Sequence, residues 1–374
     1  MRHSECRHDG LFPRKGTDLD AMMYGAAKDV IDAALETGIF PAIAVEIGSV
    51  SGRQWTYAAG SIGTKEAPRN VCLDTVFDLA SLTKVIATTT LVIRHVDAQT
   101  LDLDEPIQRS FSAWNSKERA TVTIRDLLRH ASGLPAYLPL YQKYAGRQAF
   151  EAAICSSPLE YAPRSQAIYS DLGFMLLGFL LADSDFDQKS LDHQFGCVVE
   201  EQSWGEINFR PSSAWLERIA PTEMDNWRGR LLRGEVHDEN CFALGSVSGH
   251  AGLFGTSAAV GAFARDTLRA ALGETTYGNT KTVQTFIRRS DIPGSSRALG
   301  WDTMLTTSSC GRWMSDKAFG HTGFTGTSLW IDPLHDTYIV LLTNRVHPTR
   351  DNNRIVAFRP KLHDAIMRER QRQP

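Results

Sequence analysis

The amino-acid sequence predicts an α/β (α+β) fold in which both ends of the chain build one antiparallel sheet, flanked by helices, around a mostly helical insertion. Three observations carry that expectation. An apolar, β-branched run at residues 42–47 and a second run at 53–59, with Gly52 in the turn, read as a hairpin near the amino terminus. Residues 327–331 and 337–342, joined through 332–336, read as a matching hairpin near the carboxy terminus. Between the two pairs the period changes: residues 82–96, 124–130 and 172–181 look helical, joined by irregular stretches such as 210–240.

Taken in order, residues 1–17 are polar, rich in Gly, Pro, His and Arg, and read as a loose tail. From Asp18 a helical spacing places Leu19, Met22, Met23, Ala26, Val30, Ile31 and Ala34 on one face, and Gly38 suits the helix end. The first hairpin follows. After the second, a final helix runs from about residue 352 to 368. The chain of 374 residues exceeds the roughly 250–300 at which a single core stops growing. The expected division is a tail (1–17), a sheet domain (18–80 plus 295–374) and a mostly helical inserted domain (81–294), with the active site in the cleft between the domains.

Composition excludes several function classes. A hydrophobic share of 42% and a charged share of 22% are those of a folded globular protein, not a disordered one. Net charge is −3, with no basic footprint for nucleic acid or an anionic membrane. The longest apolar stretches, near 85–93 and 174–182, fall short of the roughly 20 residues that span a bilayer, so no membrane span is expected. Residues 1–14 carry charge without the apolar core of a signal peptide, so the expected location is cytoplasmic. A misassigned or trimmed start leaves a periplasmic or extracellular location open. The cysteines, Cys6, Cys72, Cys155, Cys197, Cys241 and Cys310, lack the close spacing of a metal or redox motif and read as free thiols.

The chemistry concentrates in three segments. Phe77-Asp78-Leu79-Ala80-Ser81-Leu82-Thr83-Lys84 leads into an apolar helix, where residues three apart share a face. A serine hydroxyl needs a neighbouring group to take its proton, and a lysine serves if burial and positive neighbours depress its pKa. Ala167-Ile168-Tyr169-Ser170-Asp171-Leu172-Gly173 sets a tyrosine and an acid before a second apolar helix. Tyr169 suits proton relay to a leaving group, or simply the core; Asp171 is equally suited to cap that helix. Gly320-His321-Thr322-Gly323-Phe324-Thr325-Gly326 stands just before a strand, where glycines admit a substrate to backbone N–H groups.

Ser-x-x-Lys, Tyr-Ser-Asp and His-Thr-Gly, in that order, resemble the three-motif signature of the serine β-lactamase-related family, which holds class C β-lactamases, DD-peptidases and related esterases. Leu127-Leu128-Arg129-His130-Ala131-Ser132-Gly133-Leu134-Pro135 and Leu299-Gly300-Trp301 resemble further family segments. Gly234-Glu235-Val236-His237-Asp238-Glu239-Asn240 is similar to the penicillin-binding protein 4B branch. The resemblance covers nearly the whole chain and implies a β-lactamase/transpeptidase-like fold. It implies Ser81 as the nucleophile of an acyl-enzyme, with Lys84 and Tyr169 sharing the acid–base work. It further implies backbone N–H groups of Ser81 and Phe324 as the oxyanion hole, and Asp171, His321, Thr322 and Gly323 as substrate-binding residues. No cofactor and no metal belong to this mechanism.

Two departures bear on the substrate. The second motif ends in Asp171 where the lactamases carry Asn, which sets negative charge beside Lys84. The third begins with His321 where they carry Lys, which weakens the hold on a carboxylate at neutral pH. Both argue against an efficient β-lactamase. The expected activity is hydrolysis of a peptidoglycan-type amide or peptide, as a D-alanyl-D-alanine carboxypeptidase or a muropeptide amidase, with a small-molecule or muropeptide substrate. A small-ester hydrolase is the alternative. A non-catalytic binding protein is disfavoured because Ser81, Lys84 and Tyr169 are all present, and no Gly-x-Ser-x-Gly elbow points to the α/β-hydrolase type. His237, Asp238 and Glu239 read as a polar loop facing the cleft rather than metal ligands, and His250 as a tight turn. Trp227 and Trp301 fit either pocket wall or core.

Overall fold

The computed structural model describes residues 24–372 apart from 65, 66, 186 and 188. The tail and the start of the first expected helix, residues 18–23, lie outside the described residues. Eleven strands are described: β1 (Ala42–Ser49), β2 (Gly52–Gly60), β3 (Phe77–Asp78), β4 (Ile207–Phe209), β5 (Met224–Asp225), β6 (Arg230–Leu231), β7 (Leu253–Gly255), β8 (Asp302–Thr303), β9 (Phe319–Thr322), β10 (Ser328–Asp332) and β11 (Thr337–Thr343). The six-stranded sheet runs β2-β1-β11-β10-β9-β8. Its centre joins the chain ends: β1 pairs antiparallel with β11, Val45 facing Leu341 and Ile47 facing Ile339. Both expected hairpins are present, β1–β2 and β10–β11.

β1 and β11 are buried along their whole length because helices cover both faces of the sheet. Ile43, Val45, Ile339 and Leu341 pack with Ile31 of the helix Gly25–Glu36 and with Phe358 and Leu362 of the final helix, Ile355–Arg370. Ala42, Ala44, Val340 and Leu342 pack the other way, against Val260 and Phe263 of the helix Ser257–Ala271. The two-residue alternation of a strand sorts one apolar run into two cores. Glu46 interrupts that run and is buried, held by Arg53 at 2.9 Å and by the Tyr338 hydroxyl at 3.0 Å. The first helix ends at Thr37 as C-cap, and Gly38 beyond it takes φ +69°, a conformation that suits glycine.

The expected continuous helix over 82–96 differs in its first turns. Residues Lys84–Thr89 form a π-helix that passes into the α-helix Thr90–Asp97. Consecutive threonines account for the widening. Thr89 Oγ1 donates to the Lys84 carbonyl at 2.8 Å and Thr90 Oγ1 to Val85 at 3.4 Å, each five residues back. A small second sheet, β3-β7-β4, backs the turn before this helix. The stretch read as irregular, 210–240, holds a 3-10 helix (Ser213–Arg218) and the β5–β6 hairpin. Trp301 is core, whereas Trp227 is 46% exposed and packs edge-on to Tyr141 at 4.7 Å. Cys155, Cys197, Cys241 and Cys310 are free thiols, as expected. Cys72 is disulfide-bonded, which no spacing in the sequence announces. Among the described residues no helix is long and apolar enough to cross a membrane.

Candidate active site

A cleft of about 670 Å³ is lined by Ser81, Tyr169, Asp171 and the run His321, Thr322, Gly323 and Phe324. Lys84 lies fully buried beneath it. All the residues expected from the three motifs therefore converge, though they come from positions far apart in the chain.

The turn carrying Ser81 is built by close packing. β3 ends at Asp78, whose carboxylate accepts from the Ala80 N–H at 2.8 Å and from the His237 N–H at 2.7 Å. Ala80 takes φ +47°, strained for a residue with a Cβ. Thr325 Oγ1 donates to the Asp78 carbonyl at 2.8 Å and Thr327 Oγ1 to Leu79 at 3.0 Å, tying this turn to the loop after β9. Among the described residues neither the Ser81 nor the Phe324 N–H donates to a backbone or side-chain acceptor. Both stand at the cleft wall, as an oxyanion hole requires.

Lys84 Nζ donates to Ser81 Oγ at 3.0 Å and to the His250 carbonyl at 3.0 Å, and lies 2.7 Å from Asp171 Oδ1. The sequence reading required a depressed lysine pKa. The structure corrects it: burial pulls the pKa down, but the charges of Asp171 and then Tyr169 outweigh burial and leave it raised. Asp171 is not the helix cap: Ser170 takes the N-cap position of the helix Asp171–Ser184, and the Asp171 carboxylate turns to Lys84. The Tyr169 hydroxyl interacts with both Lys84 and Ser81. Burial raises its pKa, Lys84 opposes, and Asp171 adds to the rise.

His321 is 3% exposed, and its Nδ1 donates to the Thr322 carbonyl at 2.8 Å. That bond puts the proton on Nδ1 and leaves Nε2 as an acceptor, which has no hydrogen-bond partner among the described residues. Burial, then the charges of Arg297 and Lys84, hold the ring well below its ordinary pKa, so it is neutral. His130 is likewise neutral and buried, its ring 4.7 Å from Tyr169 and its Nδ1 accepting from the Ser170 N–H at 3.0 Å.

Two supporting residues escaped the sequence reading, and a third was read only as a turn. Arg359 of the final helix is buried, and its Nη2 donates to the carbonyls of Gly323 at 2.8 Å and Thr327 at 2.9 Å. A cation on the same helix as Phe358, Leu362 and Ile366, all buried, was the signal available. Arg297 lies over the Tyr169 ring at 5.1 Å, and no motif marks it. The third is His250, whose role goes beyond a turn. Its ring is clamped by Ser248 at 2.8 Å and Asp238 at 2.9 Å, which fixes the carbonyl that receives Lys84. His237 pairs with Glu223 at 2.9 Å, and Arg350 joins Glu223 to Glu239. The described residues hold no group of three or more His, Cys, Asp or Glu placed to bind a metal.

Gly323 is required by close approach: an added Cβ would strike Thr327 Oγ1 and come within 2.7 Å of the Leu79 carbonyl. Gly323→Ala is expected to shift the Phe324 N–H and lower kcat for aryl-ester hydrolysis about 10²-fold, the order lost with one oxyanion donor. Steady-state kinetics on protein with unchanged circular dichroism checks this; an undiminished kcat would remove Phe324 from the oxyanion hole.

The beta-lactamase family model matches residues 28–359. The chain belongs to the beta-lactamase family. A relative from Escherichia coli (strain K12), named "Putative D-alanyl-D-alanine carboxypeptidase", is 32% identical over 319 residues, covering 75% of this chain and 72% of that protein. Among solved structures, "EstCE1, a hydrolase with promiscuous acyltransferase activity" superposes with a TM-score of 0.75 at 18% identity, covering 94% of this chain and 100% of that one. A class C beta lactamase superposes with a TM-score of 0.73 at 15% identity, covering 94% and 99%. These structural likenesses establish the β-lactamase/transpeptidase-like fold. As a family member the chain is a serine hydrolase.

Proposed function

We propose that the protein is an acyl-enzyme hydrolase of a peptidoglycan-type amide, a D-alanyl-D-alanine carboxypeptidase or a muropeptide amidase. One observation carries the reading: Lys84 Nζ stands 3.0 Å from Ser81 Oγ, at a cleft where the Ser81 and Phe324 N–H groups are both uncommitted. From the form in which the Lys84–Tyr169 pair has lost one proton, Ser81 Oγ attacks the substrate carbonyl carbon and the pair takes up the Ser81 proton. The carbonyl oxygen gains the negative charge and is held by the two N–H groups. As the C–N bond breaks, Tyr169 hands a proton to the leaving amine, and water then hydrolyses the Ser81 ester. The name carried by the 32% identical relative supports an amide ending in D-alanine.

A second reading, a small-ester hydrolase, is favoured by the neutral His321 at the third motif, which gives a carboxylate no charge to bind. The test separates the two. The purified protein is incubated with an N-acylated peptide ending in D-alanyl-D-alanine, with p-nitrophenyl acetate and with a fluorescent penicillin. Ser81-dependent release of D-alanine, with a stable penicillin adduct by intact mass, is the expected result. Ester turnover without D-alanine release would overturn the peptidase reading in favour of the esterase.

A further inference from the structure

Four arginines line the cleft: Arg297, Arg345, Arg350 and Arg359. Three are committed. Arg350 is paired with Glu223 and Glu239, at 2.6 and 2.7 Å. Arg345 donates to the carbonyls of Phe324, Arg350 and Asn352. Arg359 holds the Gly323 and Thr327 carbonyls. Arg297 alone of the four makes no hydrogen bond and no ion pair through its side chain among the described residues. Asp302, the β-bridge partner of Arg297, also lines the cleft but forms no ion pair with that arginine among the described residues, one carboxylate oxygen accepting from the Thr303 N–H at 3.0 Å.

The surroundings point the same way. Arg297 lies over the Tyr169 ring at 5.1 Å, while Lys84 Nζ lies 4.9 Å from the same ring. The free guanidinium thus shares one aromatic ring with the lysine that contacts Ser81. The neighbouring His321 presents only a buried, unpartnered acceptor nitrogen to the cleft, which repels a carboxylate and welcomes a donor. An uncompensated, half-buried guanidinium is costly unless a ligand supplies the anion, and its fork matches a carboxylate with two hydrogen bonds.

We infer that Arg297 is the carboxylate anchor of this enzyme, selecting acyl substrates whose leaving group carries a free carboxylate near the scissile bond. It takes over the task that His321 cannot perform without a charge. The inference rests on the hydrolase reading above and names the substrate class of that same site.

The test uses two matched pairs: an N-acylated D-alanyl-D-alanine peptide with its carboxy-terminal amide, and a m-carboxyphenyl ester with the corresponding phenyl ester. The quantity read is the ratio of kcat/KM within each pair, in which any general damage cancels. The wild-type ratio is expected to favour the carboxylate member. Arg297→Gln should collapse that preference by about 10²-fold, and Arg297→Lys should restore part of it as a point charge without the fork. If neither peptide is cleaved but the ester preference and its dependence on Arg297 persist, the peptidase reading fails and the anchor stands. Equal turnover of both members by the wild type, a ratio unmoved in Arg297→Gln, or no turnover of all four substrates overturns the inference.

Discussion

Ser81→Ala is expected to abolish acyl-enzyme formation and to lower kcat/KM for every amide and ester substrate by at least about 10⁴-fold. The magnitude follows from what remains. The oxyanion donors and the cleft still bind substrate, but among the described residues no hydroxyl other than that of Tyr169 stands beside Lys84 Nζ. The variant should fold normally, because Ser81 is only partly buried and the Ala80 turn is held by Asp78, Thr325 and Thr327 rather than by the serine. Intact mass after exposure to penicillin or an aryl ester should show no adduct. An adduct or burst retained in this variant would move the nucleophile elsewhere.

Lys84→Ala is expected to lower kcat about 10³- to 10⁴-fold, the span of a general acid–base contribution. It should also destabilise the protein, since Asp171 and the His250 carbonyl would lose their buried cationic partner. The pH dependence tests the same pair with the sign worked out. The folded pKa of Lys84 is raised, so the ammonium is the resting form and its stabilising effect is present at all pH values below the unfolded lysine pKa. That stability is lost only as pH climbs through the raised value. Catalysis runs opposite: if Lys84 must be neutral to accept the Ser81 proton, kcat/KM rises with pH on an alkaline-displaced acid limb. Asp171→Asn removes the leading cause that raises the pKa and should move this limb to lower pH. Because Asp171 raises the pKa of Tyr169 as well as that of Lys84, a limb unmoved in Asp171→Asn would exclude both as the titrating base.

The legibility of this protein in its sequence varied with the range of the interaction. The long strands β1 and β11 were readable because apolar β-branched residues recur locally, their hairpin partners β2 and β10 because short turns join them to those runs, and the β1–β11 pairing is what burial demands. The site was readable because Ser81, Lys84, Tyr169 and the run 321–324 sit in short motifs. Boundaries failed where side chains rewrite the backbone: Thr89 and Thr90 open a π-helix in a segment whose apolar period is that of an ordinary helix. Asp171 was open between capping and chemistry, and only the position of the buried Lys84 beside it decided the matter.

The sequence by itself determined the family's three motifs, the hairpins at both ends and the identity of the nucleophile segment, because each rests on residues within one element. The tertiary structure decided the electrostatics. Whether Lys84 is charged depends on Asp171, which lies on a helix far along the chain, and whether His321 is neutral depends on burial beside Arg297. Arg297 and Arg359 acquire their roles only where the final sheet strands and the last helix close around the cleft. Charge interactions act through space and dielectric rather than along the chain, so no local pattern of residues encodes them.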